Sequence, residues 1–312
     1  MLTFSRFSDQ NRETNPLVND IMLFTMKDAE NLSGIKSYTI RIWEKRYSIL
    51  KPQRNLSNVR YYDSEEIKTI LNIALLNKSG HKISAIAKMP CNVIKTAIHS
   101  DVEKADIVVT DLIYKIIDAD IKGFEERLQS YSNKAGIHET VVNILFPLLE
   151  KSETLWQLKN QNPALKHWVC YIIKIKIFAA LDALIVPHTK KERCACLFLP
   201  PEASNDIGIL VMSYLLKSKG VRTIYLGPDV PMHEVAFISK LREPNFLYVH
   251  LSGTGIKFKF NRFIEEAAKY FNHKTLIVSG CVPKSFQRMS FPSIIFRNTV
   301  KDAFHFMETS KL

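Results

Sequence analysis

The feature that most constrains this chain is a change of hydrophobic period at Arg193. From there onward, short apolar runs alternate with segments of helical period. Strands are expected at 194–199, 221–226, 246–252, 274–279 and 293–297, and helices at 205–218, 231–242, 260–271 and 299–310. Five strands in βα alternation imply an open parallel sheet of flavodoxin- or Rossmann-like form, with helices on both faces. Ligands of such sheets sit outside the carboxyl ends of the strands, at the topological switch point. Upstream, from Ala105 to about Val186, the period is helical throughout, with breaks near Ile121, Lys134 and 160–163. Four helices of that length predict a small bundle.

A chain of 312 residues exceeds one ordinary core, and these patterns divide it into α and α/β parts. A flexible leader is expected over 1–22, a first domain over 23–92, a linker over 91–104, a bundle over 104–188 and a sheet domain over 193–312. No apolar run reaches the roughly 18 residues that span a bilayer. The first twenty residues are polar and lack the apolar core of a signal peptide, so a cytoplasmic protein with no membrane partner is expected. Cys194 and Cys196 share one face of a strand. They read as small buried hydrophobes rather than a metal pair, because no further ligand cluster lies nearby.

The first domain carries an uneven charge. Between Lys36 and Arg60 stand seven basic residues (Lys36, Arg41, Lys45, Arg46, Lys51, Arg54, Arg60) against one acid, Glu44, leaving +6 of the chain's +12 in this short stretch. Such a cluster points to a polyanion, since phosphate contacts with counterion release drive nucleic-acid affinity. The local pattern agrees. A helix over Met26 to Leu32, capped by Thr25 and ended by Gly34, and a second over Lys36 to Tyr47 are separated by a turn of helix-turn-helix length. After Pro52, two short strands around a basic loop would make a wing, ending on Arg60-Tyr-Tyr62. Ser64 opens an amphipathic helix to about Lys78, and a shorter one follows over Ile83 to Lys88.

On the second helix, Ile40 and Trp43 face the core, while Thr39, Arg41, Lys45 and Arg46 face outward. Lys36, Tyr38 and Thr39 are the candidates for base reading. Tyr47, Arg54, Arg60 and Tyr61 are the candidates for phosphate contact from the helix end and the wing. Glu44 reads as a helix-stabilising ion pair. No convincing Ser-His-Asp set, catalytic pair of carboxylates, P-loop or His-x-x-x-His spacing stands out, so no catalytic residue and no metal site is expected. His233 and His250, near expected strand ends, read as structural.

The segments Thr25 to Ile35, Thr39-Ile-Arg-Ile-Trp-Glu-Lys-Arg-Tyr47, Pro52-Gln-Arg54 and Arg60-Tyr-Tyr62 together resemble the MerR family of transcriptional regulators. They match best the Arg-x-Trp-Glu-x-Arg-Tyr variant, whose effector domain binds cobalamin. The resemblance implies double-stranded promoter DNA as a partner, a homo-oligomer (dimer or tetramer) and contact with RNA polymerase. It also implies that the bundle and sheet are a cobalamin-binding-type module. The family's bundle carries Trp, nine residues, then Glu-His; here Trp156 is followed at that interval by Lys166-His167. Leu215 to Pro231 is similar to the family's second strand and its flanks. Ser252-Gly-Thr254 stands where the family has Ser-x-Leu or Ser-x-Thr near the nucleotide tail, and Ser279-Gly280 replaces Gly-Gly.

The first loop departs from the family. Its signature Asp/Glu-x-His-x-x-Gly reads Ala203-Ser-Asn-Asp-Ile-Gly208, with Asn205 in the place of the cobalt-ligating His. A carboxamide is a poor cobalt ligand, and the acid that would orient an imidazole is also missing. Two readings follow: the module has lost cobalamin, or it holds a corrinoid without a protein His below the metal. Trp156, His167, Asn205, Gly208, Ser252, Thr254 and Gly280 are the candidate cofactor residues. A corrinoid-dependent methyltransferase or carrier, and a cofactor-free oligomerising or partner-binding regulator, are the alternatives to a ligand-sensing regulator.

Overall fold

The computed structural model describes residues 22–101, 104–156, 158, 163–185, 193–252, 258–287 and 289–310. The leader expected over 1–22 lies, but for Met22, outside these. Strand β1 (Phe24–Thr25) runs into α1 (Met26–Ser33), which starts on a Thr25/Asp28 capping box and closes at Gly34 with φ 73°. After three residues comes α2 (Ser37–Tyr47). Strands β2 (Gln53–Arg54) and β3 (Arg60–Tyr62) pair antiparallel as the expected wing, and β1 pairs with the other edge of β3. The wing turn places Asn58 at φ 59°, a left-handed conformation that asparagine tolerates.

Helix α3 (Ser64–Lys78) begins on a second capping box, Asp63 with Glu66, and α4 (Ile83–Ile86) follows. The expected linker is instead mostly helical, as α5 (Cys91–Asp101). Its Ile98, with Ile94 and Ala97 at helical spacing, packs on a small core made by Trp43, Ile73, Leu75, Leu76 and Ile86. That core needs α5 to close it, which no local pattern could announce.

The bundle has the four rods expected: α6 (Lys104–Ile117), α7 (Ile121–Ala135), a compound third rod, and α10 (Pro163–Asp182). The third rod joins α8 (Ile137–Thr140) through a π-turn (Val141–Leu145) to α9 (Phe146–Trp156). Pro147 has no N–H to offer the carbonyl of Asn143, and the widened turn lies just before it. The first domain rests on this bundle, α1 against α9 and α3 against α6. Phe24, Leu32, Ile67 and Ile70 join Val109, Leu112 and Leu148 in one continuous core. Lys68 pairs with Asp118 at 2.8 Å and Lys78 with Asp106 at 2.6 Å across the same junction.

Strands β4 (Cys194–Phe198), β5 (Arg222–Gly227), β6 (Phe246–Leu251), β7 (Thr275–Gly280) and β8 (Ile294–Arg297) form the parallel sheet in the order β5-β4-β6-β7-β8. Between them lie α11 (Ile207–Ser218), α12 (Met232–Arg242), α13 (Phe260–Tyr270) and the short, unexpected α14 (Lys284–Gln287), with α15 (Val300–Thr309) last. Every residue of β4 and β6 is buried, as a strand covered on both faces requires. Cys194 and Cys196 lie in that core as free thiols, and burial pushes the Cys196 thiol up to about 12. Chain direction across the sheet reverses between β4 and β6, so the switch-point crevice opens at their carboxyl ends, facing the start of α11. The bundle meets the sheet domain chiefly through α10 on α11.

Candidate nucleic-acid interface and switch-point crevice

The outer face of α2 is built by its inner one. Ile40 and Trp43 are buried, which turns Tyr38, Arg41, Lys45 and Arg46 to solvent, with Thr39 half-buried between them. The helix start is held from α1: the Glu30 carboxylate accepts the Ser37 N–H at 3.2 Å and pairs with Lys36 at 3.1 Å. The Ser37 hydroxyl, then Lys36, lower the Glu30 pKa. Lys36 itself is exposed, and an exposed pair of this kind is weak enough to exchange for a phosphate. Tyr38 stands 74% exposed beside it. At the other end the Arg46 guanidinium lies 5.7 Å from the centre of the Tyr47 ring.

Between α2 and the wing runs one open groove lined by Arg41, Glu44, Lys45, Lys51, Pro52, Arg54 and Arg60. Arg54 is exposed and donates to Asn58 Oδ1 at 2.7 Å, which ties it to the wing turn, while Tyr61 is half-buried on β3. Lys51 belongs to the same basic run but is no candidate by sequence alone; its groove position follows from the turn after α2.

Glu44 is paired, but not within its helix. It accepts from Arg60 Nε at 2.8 Å and from the Tyr62 hydroxyl, both on β3. Burial first, and then this carboxylate, push the Tyr62 phenol well above its ordinary range, so it stays a donor. The carboxylate therefore fixes the spacing of helix and wing.

The second set of candidates is only partly brought together. Trp156 is half-buried at the end of α9 and His167 is exposed on α10. The residue of α10 that reaches the first loop is Lys174, which pairs with Asp206. His167 lies two turns, roughly 10 Å, further along that helix. Thr254, with its neighbours 253–257, lies outside the described residues. Asn205, Gly208, Ser252 and Gly280 do meet at the switch point. Ser252 Oγ donates to the Asn205 carbonyl at 3.3 Å, and Tyr225 on β5 donates to Asp206 at 2.6 Å. The crevice behind them holds the His250 ring: a Cβ placed on Gly208 would meet His250 Cδ2 at 2.1 Å. Among the described residues no group of three or more His, Cys, Asp or Glu could hold a metal ion, and no helix is long and apolar enough to cross a membrane.

The chain is similar to known proteins in its first domain and beyond it. Residues 24–90 match the family model described as MerR HTH family regulatory protein. The chain is 22% identical to the HTH-type transcriptional repressor CarH of Myxococcus xanthus over 245 residues, covering 70% of this chain and 75% of that protein. It is 26% identical to the repressor CarA of the same organism over 216 residues, covering 67% and 70%. Among solved structures, the Methanosarcina barkeri monomethylamine corrinoid protein overlays 64% of this chain and 97% of its own, at 14% identity and a TM-score of 0.45. Residues 24–90 are thus a MerR-type helix-turn-helix domain, and the chain is a DNA-binding transcriptional regulator homologous to these two proteins.

Proposed function

We propose that this regulator reads promoter DNA through α2, laid in a major groove, with the wing against the flanking phosphates. The observation that carries the reading is the groove between α2 and the wing, where five cations surround one carboxylate already engaged by Arg60 and Tyr62. Lys36, Tyr38 and Thr39 would meet base edges, while Arg41, Lys45, Arg46, Tyr47, Arg54, Arg60 and Tyr61 would meet phosphates. Lys51 joins the phosphate set. The output is repression, as in the repressors CarH and CarA. The working units are the reading head over 23–92, the bundle over 104–188 and the sheet domain over 193–312.

The protein acts as a homo-oligomer. Helix α10 buries Leu165, Val169, Ile172, Ile173 and Ile177 inward, yet leaves Trp168, Tyr171, Ile175 and Phe178 exposed at intervals of three and four residues. A helix apolar on both faces is one with a partner on both, and this stripe has the spacing of a seam between two helices. Two linked heads would gain affinity through effective concentration without any new DNA contact.

The test is a mobility shift on the DNA upstream of the protein's own reading frame, with and without hydroxo-, methyl- and adenosylcobalamin. A salt-sensitive shift, lost when competitor promoter fragment is added, is the expected result. Absence of a shift at low salt would end the reading.

A further inference from the structure

We infer that His250 is a built-in occupant of the switch-point crevice, so that the sheet domain is shut to the nucleotide tail of a corrinoid. The inference stands apart from DNA reading, which survives whichever way it falls.

Two glycines border the place where a ligand of this fold would enter; the His250 ring closes over the first and lies beside the second, which the Leu251 backbone also crowds. At Gly208, the second residue of α11, an added Cβ would lie 2.1 Å from His250 Cδ2 and 2.6 Å from its Cγ. At Gly280, the last residue of β7, it would lie 2.4 Å from the Leu251 carbonyl oxygen and 3.1 Å from His250 Cε1. The imidazole is thus seated between the helix start and the strand end, 3% exposed. It is also held there: Nδ1 is 2.8 Å from Ser279 Oγ, which is 2.7 Å from the Tyr248 hydroxyl. Buried polar groups joined in this way are costly to pull apart, because each loses its partner in a region water does not reach.

The mouth is fastened as well. Ser252 ties the end of β6 to the first loop, and Asp206 ties that loop to Tyr225 of β5 and to Lys174 of the bundle. The residues present therefore do not fit the cofactor that the resemblance implies. Asn205 offers no imidazole to a metal, and the space beyond it is filled from within. Replacing Asn205 by His would restore a ligand and still leave no room.

Two measurements test this on the full chain. Wild-type protein incubated with hydroxocobalamin, methylcobalamin or adenosylcobalamin and then desalted is expected to retain no visible absorption. Retention near one corrinoid per chain would overturn the inference. The second is a double-mutant cycle between Gly208→Ala and His250→Gly. The added methyl is expected to lower the Tm by roughly 5 °C when His250 is present and by much less when it is Gly. Equal losses in the two backgrounds would show that the ring is not what fills the space. If Gly208→Ala alone does not fold, recovery of a folded protein in the double variant supports the inference, and failure to recover it counts against it.

Discussion

At Glu44 a single carboxylate decides how far apart helix and wing stand. Glu44→Ala removes the acceptor of Arg60 and the stronger acceptor of Tyr62, leaving that buried hydroxyl only the Met26 sulfur at 3.6 Å. The expected cost is about 1–3 kcal/mol, read as a lower urea midpoint with an unchanged m-value. The sequence reads Glu44 as a helix-stabilising ion pair but cannot name its partner, Arg60, which lies 16 residues on, across a turn, where local spacing has no reach. Trp43 was legible, because its place on the Ile40 face made it a core residue whatever lay opposite. A second residue-scale test concerns Lys151 on α9, whose pKa burial lowers from the ordinary 10.5, with Asp106 opposing. The fold disfavours its charge, so wild type carries the full penalty below the folded value and loses it as pH rises towards 10.5. Lys151→Met is therefore expected to be more stable than wild type at pH 7, with the gap closing by about pH 10.5 in paired denaturation curves. A gap that does not change with pH contradicts this.

The elements are unevenly legible in the sequence, and the gaps share a cause. The five sheet strands were legible because each is a short apolar run with turn residues on both sides, and none of them depends on a distant partner for its identity. Strand β1 is two residues long and exists only because β3 offers it an edge. Helix α5 was read as linker for the same reason: Ile98 has a purpose only once Trp43, Ile73 and Ile86 are gathered. Helix α10 raises the opposite question, since its outer stripe has no partner within the described chain. Trp168→Glu with Phe178→Glu is expected to leave the fold intact and to convert an oligomer to a monomer in light scattering. An unchanged mass would remove α10 from the interface.

For the whole molecule, the arrangement of parts was less legible than the parts. Alternating strands and helices imply a parallel sheet but do not give the order β5-β4-β6-β7-β8, which depends on which side each crossover returns. Nor did the apolar stripes of α3 and α6 name each other, although Ile67, Ile70, Val109 and Leu112 share one core. Head and bundle should then support one another. A chain starting at residue 104 is expected to melt several degrees below the full chain, because it exposes the faces of α6 and α9 that the head covers; an equal Tm would mean the two fold separately. The cofactor candidates are the least legible of all, since the family resemblance sets Asn205 in a ligand's place but says nothing of the His250 ring that lies against Gly208.

The most direct test of the account is a salt titration of promoter binding by the full chain and by the Arg41→Ala/Lys45→Ala/Arg46→Ala variant. All three side chains are exposed on α2, so the fold is expected to survive their removal. The plot of log K against log salt is expected to become shallower by roughly 3, together with a large loss of affinity at low salt. An unchanged slope and affinity would mean that the outer face of α2 does not lie on DNA.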